Sequence, residues 1–315
     1  MNLILARSIL WHTYAHKIAM ARGGARICQL TCWPKATYYI IWQYTENGMG
    51  KTSLCGGGDE HLVNRLCPEE LLSVSLRSFR LVEEFVQERN ASAAVALVGY
   101  KGVQYGPAAF GTTGFFPGAA PVTSDTIFDI ASLTKVVGTT TAVLTLFDEH
   151  VFYLHTELGE LIADLPKDKA HITIEQLLSH TSGLAAWAPL YLYAKHPHDA
   201  IKQITASPLQ YVPGSQVVYS CLGFILLGHI IQSLTDMSLN DIVNERVITA
   251  LDMRDTCYNP PVGVYPRIAY TEWCPRRKQF LRGLVHDENA QALQGVSGNA
   301  GLFSTTSDLA RFSRM

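Results

Sequence analysis

Ser132 and Lys135, three residues apart in Ser132-Leu133-Thr134-Lys135, are the pair in this sequence best suited to covalent chemistry. Positions i and i+3 of a helix share a face, so a helix starting here would hold the hydroxyl and the amine side by side. A serine attacks a carbonyl carbon efficiently only when a neighbour takes its proton. An amine buried at a helix start loses part of its preference for the charged form, through desolvation and the positive end of the helix dipole. A neutral Lys135 beside the serine could then serve as its base. Four letters of this kind arise often by chance, so the elements around them have to carry the case.

Those elements begin at Pro68. Pro68-Glu69-Glu70 opens a helix with a proline and two acids, as a helix N-terminus favours. Its apolar stripe runs through Leu71, Leu72, Val74, Phe79, Leu81, Val82 and Phe85. Ala93 to Val98 is continuous enough for a buried strand. Lys101-Gly102 is a turn and Val103 to Phe110 a second strand, which together predict an antiparallel hairpin. Asp125 to Ala131 leads into Ser132, and the apolar run through Val136, Val137, Ala142, Val143, Leu144 and Leu146 makes the expected helix behind it. Thr173 to Leu178 is a short helix with a Thr173/Gln176 capping box, ended by Ser179-His180-Thr181-Ser182-Gly183-Leu184. Tyr219 to Leu234 and Leu239 to Leu251 are two further apolar helices, the chain from Pro260 is rich in loops, and Ser307 to Phe312 begins a last helix.

Composition narrows the classes of function. The chain has 315 residues, 48% hydrophobic and 17% charged, which is globular rather than disordered. A formal net charge of -2 gives no electrostatic footprint for nucleic acid, and Arg276-Arg277-Lys278 is a short solvated loop. No run reaches the roughly 20 apolar residues of a membrane span. Seven cysteines, an odd number without paired C-x-x-C spacing, read as free thiols rather than as a zinc site or a disulfide framework. Residues 1–45 contain no acid but carry Arg7, Lys17, Arg22, Arg26 and Lys35, which fits an organelle transit peptide or a variable extension better than a secretory signal. Residues 33–42 hold one strand candidate. Gly48 to Thr52 has the end of a phosphate-binding loop, but Thr45 stands where its first glycine belongs. Gly56-Gly57-Gly58 is a flexible linker. Residues 1–67 are thus expected to be a poorly ordered extension and 68–315 the working domain. The compartment stays open, with the cytoplasm slightly ahead.

From about Pro68 onward the chain resembles the serine β-lactamase and penicillin-binding-protein superfamily, in its class C and esterase-like branch. The resemblance rests on five segments in order: Pro121 to Lys135 with the S-x-x-K, Leu177 to Leu184, Pro213 to Gly228 with Tyr219, Val285 to Ala290, and Gly295 to Thr305. It implies an α/β (α+β) fold, an antiparallel sheet flanked by helices plus a helical subdomain. It also implies acyl-enzyme chemistry on a small-molecule ester, amide or β-lactam, with no cofactor, metal, nucleic acid or protein partner. Ser132 would be the nucleophile, with Lys135 and Tyr219 sharing the proton work; a phenol of pKa about 10 needs a cation such as Lys135 beside it to act as base. The Ser132 N–H would help hold the oxyanion.

Two features depart from the pattern. Cys221 stands where the family usually has Asn or Asp after Tyr-x, and a thiol donates and accepts hydrogen bonds poorly. The third motif, Lys-Thr-Gly or His-x-Gly, is absent, so the C-terminal strands of the sheet are expected to be missing and a truncated, inactive relative is the alternative reading. Other candidates have plainer expectations. His180 is expected to be structural, His196 and His198 exposed, Asp287 and Glu288 to order a loop or line the cleft mouth, and Asn299 to serve backbone geometry.

Overall fold

The computed structural model describes residues 68–100, 102–194 and 196–315. The expectations for residues 1–67, from the acid-poor leader to the glycine linker, lie outside the described residues. In chain order the labelled elements are α1 (Pro68–Gln87), β1 (Ala93–Tyr100), β2 (Val103–Gly111), β3 (Phe128–Asp129), α2 (Thr141–Asp148), α3 (Ile174–Leu178), α4 (Pro197–Ala206), α5 (Cys221–Thr235), α6 (Leu239–Val243), β4 (Cys257–Tyr258), β5 (Trp273–Cys274), β6 (Gln279–Phe280), α7 (Glu288–Ala292), β7 (Leu302–Ser304) and α8 (Thr306–Ser313). The architecture is the expected mixture of antiparallel sheets and helices. The chain forms two compact units, one taking in Asp129–Pro261 and Gly283–Phe303, the other the described residues up to Phe128, Val262–Arg282 and Ser304–Met315.

The second unit is built on the predicted hairpin. β1 and β2 pair antiparallel from Ala93 opposite Gly111 to Tyr100 opposite Val103, and Gly102 turns between them at φ +82°. Side chains alternate across a strand. Ala93 and Val95 accordingly pack with Val122, Phe128 and Ala269 on one face, while Ala94 and Ala96 pack with Val82 on the other, beside Phe79 and Val86 of α1. β1 is buried on both faces, which is why its sequence shows no polar alternation. Elsewhere on α1, Leu76 and Leu81 are each 58% exposed. The Thr306 hydroxyl at the start of α8 donates to the Val95 carbonyl at 3.2 Å. β5 and β6 form a second antiparallel pair, with exposed Arg276, Arg277 and Lys278 between them.

The first unit is helical and centres on α5. Leu222, Phe224, Ile225, Leu226, Leu227, Ile230 and Ile231 are all buried, so this helix is apolar nearly all round, as a core helix must be. Among the described residues no single helix is long and apolar enough to cross a membrane. α2, α3, α4 and α6 pack around α5. The Thr173 box at α3 forms as predicted: its hydroxyl accepts from Gln176 N–H at 3.2 Å, and the Gln176 side chain accepts from Thr173 N–H at 3.1 Å. β3, β7 and β4 make a three-stranded sheet in that order.

Three helix expectations change in detail. Ser132 does not head a regular α-helix; it lies in a turn, and Lys135–Thr140 coils as a π-helix before α2. The threonine run explains the wider coil. The Thr141 hydroxyl donates to the Val136 carbonyl five residues back at 3.0 Å and so competes for the helical ladder, while the Thr139 hydroxyl donates outside the coil, to the Gly298 carbonyl at 2.8 Å. α6 likewise continues as a π-helical stretch, Asn244–Thr249. Tyr219 sits two residues ahead of α5, whose N-cap is Ser220, with its side chain accepting from Gly223 N–H.

Candidate active site

The turn that presents Ser132 is held at every amide but one. Ile130 N–H donates to Leu302 O at 3.0 Å, Leu133 to Ile130 O at 3.0 Å, Thr134 to Ala131 O at 3.0 Å and Lys135 to Ser132 O at 3.1 Å. Ala131 N–H donates to the Asp129 carboxylate at 2.8 Å. Among the described residues no acceptor pairs with the Ser132 N–H, and Ser132 is half-buried. Ala131 itself has φ +47°, a left-handed conformation that costs an L-residue with a Cβ about 1–2 kcal/mol. Strain of this kind persists only where surrounding contacts enforce it.

Lys135 is 1% exposed. Its Nζ donates to Ser132 Oγ at 3.1 Å and to the Asn299 carbonyl at 2.8 Å. It also lies 5.0 Å from the centre of the Tyr219 ring and 5.8 Å from that of Phe224. Burial by itself pushes the ammonium towards neutrality. The charge of Tyr219, that of Cys221, a hydrogen bond to Tyr219 and the charge of Asp287 together outweigh it, and the pKa is raised above the ordinary 10.5. Of the two roles open to Lys135, a neutral base and a cation supporting Tyr219, this direction favours the cation. A carbonyl acceptor and two aromatic faces make the pocket a cation site, because each favours the charged form.

The segment that supports Lys135 from the other side is placed by glycine. A Cβ on Gly298 would run into the Phe224 carbonyl, and one on Gly228 would stand 3.1 Å from Gly298 N. Bare backbone here lets the 297–299 segment lie against α5 and aim the Asn299 carbonyl at Lys135. Tyr258 Oη donates to Ser297 O at 3.2 Å and Ser297 Oγ donates to Asn299 Oδ1 at 2.6 Å, fixing the same segment. Asn299 therefore acts through its backbone, as expected.

Tyr219 is brought to the lysine by His180. The His180 ring packs at a tilt against Tyr219 with centroids 4.5 Å apart and against Phe224 at 5.1 Å, and its Nδ1 accepts from Ser220 N–H at 3.0 Å. His180 is buried and structural, as its place in the 177–184 segment implied. Ser220 Oγ donates to Ala185 O at 2.7 Å and Cys221 N–H to Ala186 O at 2.8 Å, so the start of α5 is pinned on both sides of Tyr219. His196 and His198 are exposed at the head of α4, and among the described residues no cluster could hold a metal ion.

Sequence reasoning missed Asp129. It is 2% exposed; one oxygen accepts from Ala131 N–H at 2.8 Å and the other from His286 N–H at 2.7 Å. Burial pushes its carboxyl up from the usual range, against those two hydrogen bonds and the nearby His286. The available signal was a lone acid in the apolar run Ile127 to Ala131, two residues ahead of the amide it bonds. Asp287 also proves local: it caps α7 by accepting from Ala290 N–H at 2.7 Å and its charge reaches Lys135.

Comparison with known proteins shows the family and the fold. Residues 79–315 match the family model described as Beta-lactamase. A putative D-alanyl-D-alanine carboxypeptidase of Escherichia coli (strain K12) is 35% identical over 217 residues, covering 60% of this chain and 50% of that protein. Its counterpart in Escherichia coli O157:H7 is 34% identical over 223 residues, covering 61% and 51%. The chain thus spans about half the length of these relatives. A class C β-lactamase from Rhodobacter sphaeroides superposes with a TM-score of 0.63 at 18% identity, covering 76% of this chain and 64% of that one. An octameric penicillin-binding protein homologue from Pyrococcus abyssi gives 0.60 at 21% identity, covering 77% and 56%. At such identities these two structures speak to the fold alone.

Proposed function

The chain belongs to the beta-lactamase family, and on that premise we propose that it is a serine hydrolase that opens small-molecule acyl compounds through an acyl-enzyme on Ser132. The observation that carries this reading is the 3.1 Å contact between Lys135 Nζ and Ser132 Oγ inside a buried cation site. The ammonium stays on Lys135 and orients the hydroxyl. The proton of Ser132 Oγ passes to the Tyr219 phenol oxygen in its deprotonated form, while Oγ bonds to the acyl carbon. Charge gathered on the carbonyl oxygen is met by the free Ser132 N–H, a preorganised donor. Tyr219 then returns the proton to the leaving group as its bond to the acyl carbon breaks. A water repeats the sequence to release the acid.

The substrate class we favour is a β-lactam or a peptide ending in D-alanine, in line with the relatives' names, ahead of a simple ester. An inactive family member that binds without turnover is the second reading, and it rests on Cys221 standing beside Lys135 where an amide side chain is usual. A fluorescent penicillin and a fluorophosphonate separate the two. We expect covalent labelling that maps to Ser132 and disappears in Ser132→Ala. Folded wild-type protein that takes neither label would end the hydrolase reading.

A further inference from the structure

We propose that Asp129 is a positioning residue for acyl transfer, which sets the Ser132 N–H and hydroxyl by clamping the turn before them to the loop at His286. The inference rests on the serine-hydrolase reading above. Three observations carry it. The carboxylate is 2% exposed and both its oxygens are committed to backbone amides, Ala131 at 2.8 Å and His286 at 2.7 Å. Ala131 is held at φ +47°, a conformation that needs such enforcement. The next amide, that of Ser132, is left without an acceptor among the described residues, whereas its neighbours from Ile130 to Lys135 are all engaged.

These facts form one chain of cause. Binding the Ala131 amide to a side chain two residues back turns the backbone left-handed at Ala131. The reversal takes the Ser132 N–H out of the local hydrogen-bond ladder. An N–H freed this way is available to a developing oxyanion without reorganisation, the arrangement that stabilises such charge best. The second oxygen extends the control. His286 precedes Asp287, whose charge acts on Lys135, and Asn289, which is buried and bonds Ala188 O at 2.9 Å and Tyr191 N–H at 3.2 Å. One carboxylate thus fixes the nucleophile turn relative to the loop that carries Asp287 and braces the 188–191 segment.

Asp129→Asn and Asp129→Ala test the idea. The amide keeps one acceptor oxygen and loses the other; alanine loses both. Per titrated active site, we expect acylation to slow about tenfold in Asp129→Asn and about a hundredfold or more in Asp129→Ala, within the range seen when an oxyanion donor is removed. KM should move less than about twofold. The affinity of a boronic acid, which mimics the tetrahedral anion, should fall in step with the rate. A merely structural role would lower the active fraction and the Tm but leave the rate per active site within about threefold, and that result overturns the proposal. If the alanine variant does not fold, the asparagine variant decides. Native-state hydrogen exchange supplies a readout free of turnover: the Ala131 or the His286 amide should exchange at least about tenfold faster in Asp129→Asn, and unchanged exchange at both refutes the clamp. If wild-type protein takes no label at Ser132, the hydrolase reading and the positioning role fall together, while the exchange data still say whether the clamp exists.

Discussion

Replacing Lys135 by methionine should separate activity from stability. Methionine keeps most of the stem volume and removes the charge. The loss side contains a charge-assisted hydrogen bond to Asn299 O, about 1.5–3 kcal/mol, and contacts with two aromatic faces, up to about 2 kcal/mol when desolvated. The Asn299 carbonyl is also left unpaired beside Lys135, which is 1% exposed, a cost already within the hydrogen-bond figure. On the gain side, burying an ammonium costs several kcal/mol even in a good pocket. The two sides nearly cancel, so the stability of Lys135→Met by urea unfolding should lie within about 2 kcal/mol of wild type.

Activity has no such compensation. Lys135 orients the attacking hydroxyl and supplies fixed positive charge beside it, and removing a preorganised electrostatic group of this kind slows a reaction by about 10²–10³, equal to about 2.7–4 kcal/mol at 1.36 kcal/mol per tenfold. The labelling rate with a fluorophosphonate should fall by that factor. The pH course adds a second check. The folded pKa of Lys135 lies above the ordinary 10.5, so the stability its charge contributes is complete below the unfolded value and is lost as pH rises through the folded one. The stability difference between wild type and Lys135→Met should be flat from about pH 6 to about pH 9 and change only above about pH 10. A variant that keeps more than about a tenth of the labelling rate would refute the role given to the lysine. A stability difference that already changes near pH 8 would refute its charged state.

Two further outcomes follow from packing. Gly298→Ala would drive a methyl into the Phe224 carbonyl; because backbone cannot yield as a side-chain end can, the variant should lose about 2–4 kcal/mol by chemical unfolding, at the upper end of single-residue effects, and slow labelling as the Asn299 carbonyl shifts. Recovery of wild-type stability and rate would show that α5 and the 297–299 segment are not in tight register. Cys257 has its thiol pushed up to about 11, mainly by burial and then by Asp255. Since the thiolate is the reactive form, peptide mapping after maleimide treatment at pH 8 should find Cys257 modified only once the protein unfolds; fast native modification would contradict that environment.

Much of the local structure was legible in the sequence because its causes are local. The Thr173 box needs only a hydroxyl three residues ahead of an amide side chain. The hairpin needs a continuous apolar strand, a glycine turn and a second strand. The i, i+3 spacing of Ser132 and Lys135 brought hydroxyl and amine together even though the coil proved π-helical, since one turn of either helix keeps such positions neighbours. What the sequence could not show was set at long range. The lysine's second acceptor is 164 residues away at Asn299, and the partner of Asp129 is 157 residues away at His286. The coil after Ser132 is also tied by the Thr139 hydroxyl to the Gly298 carbonyl, 159 residues on.

The charge on Lys135 gives the sharpest contrast. Sequence logic left two states open, a neutral amine favoured by burial and the helix dipole and a cation that supports Tyr219. In the folded chain burial is outweighed by the charges of Tyr219, Cys221 and Asp287 and a hydrogen bond to Tyr219, and the amine is held in its charged form. Residue types and spacing determined which groups could react. Tertiary structure alone decided the balance of charge around Lys135 and which amide was left free, because both depend on the polar atoms that distant segments bring within a few ångströms.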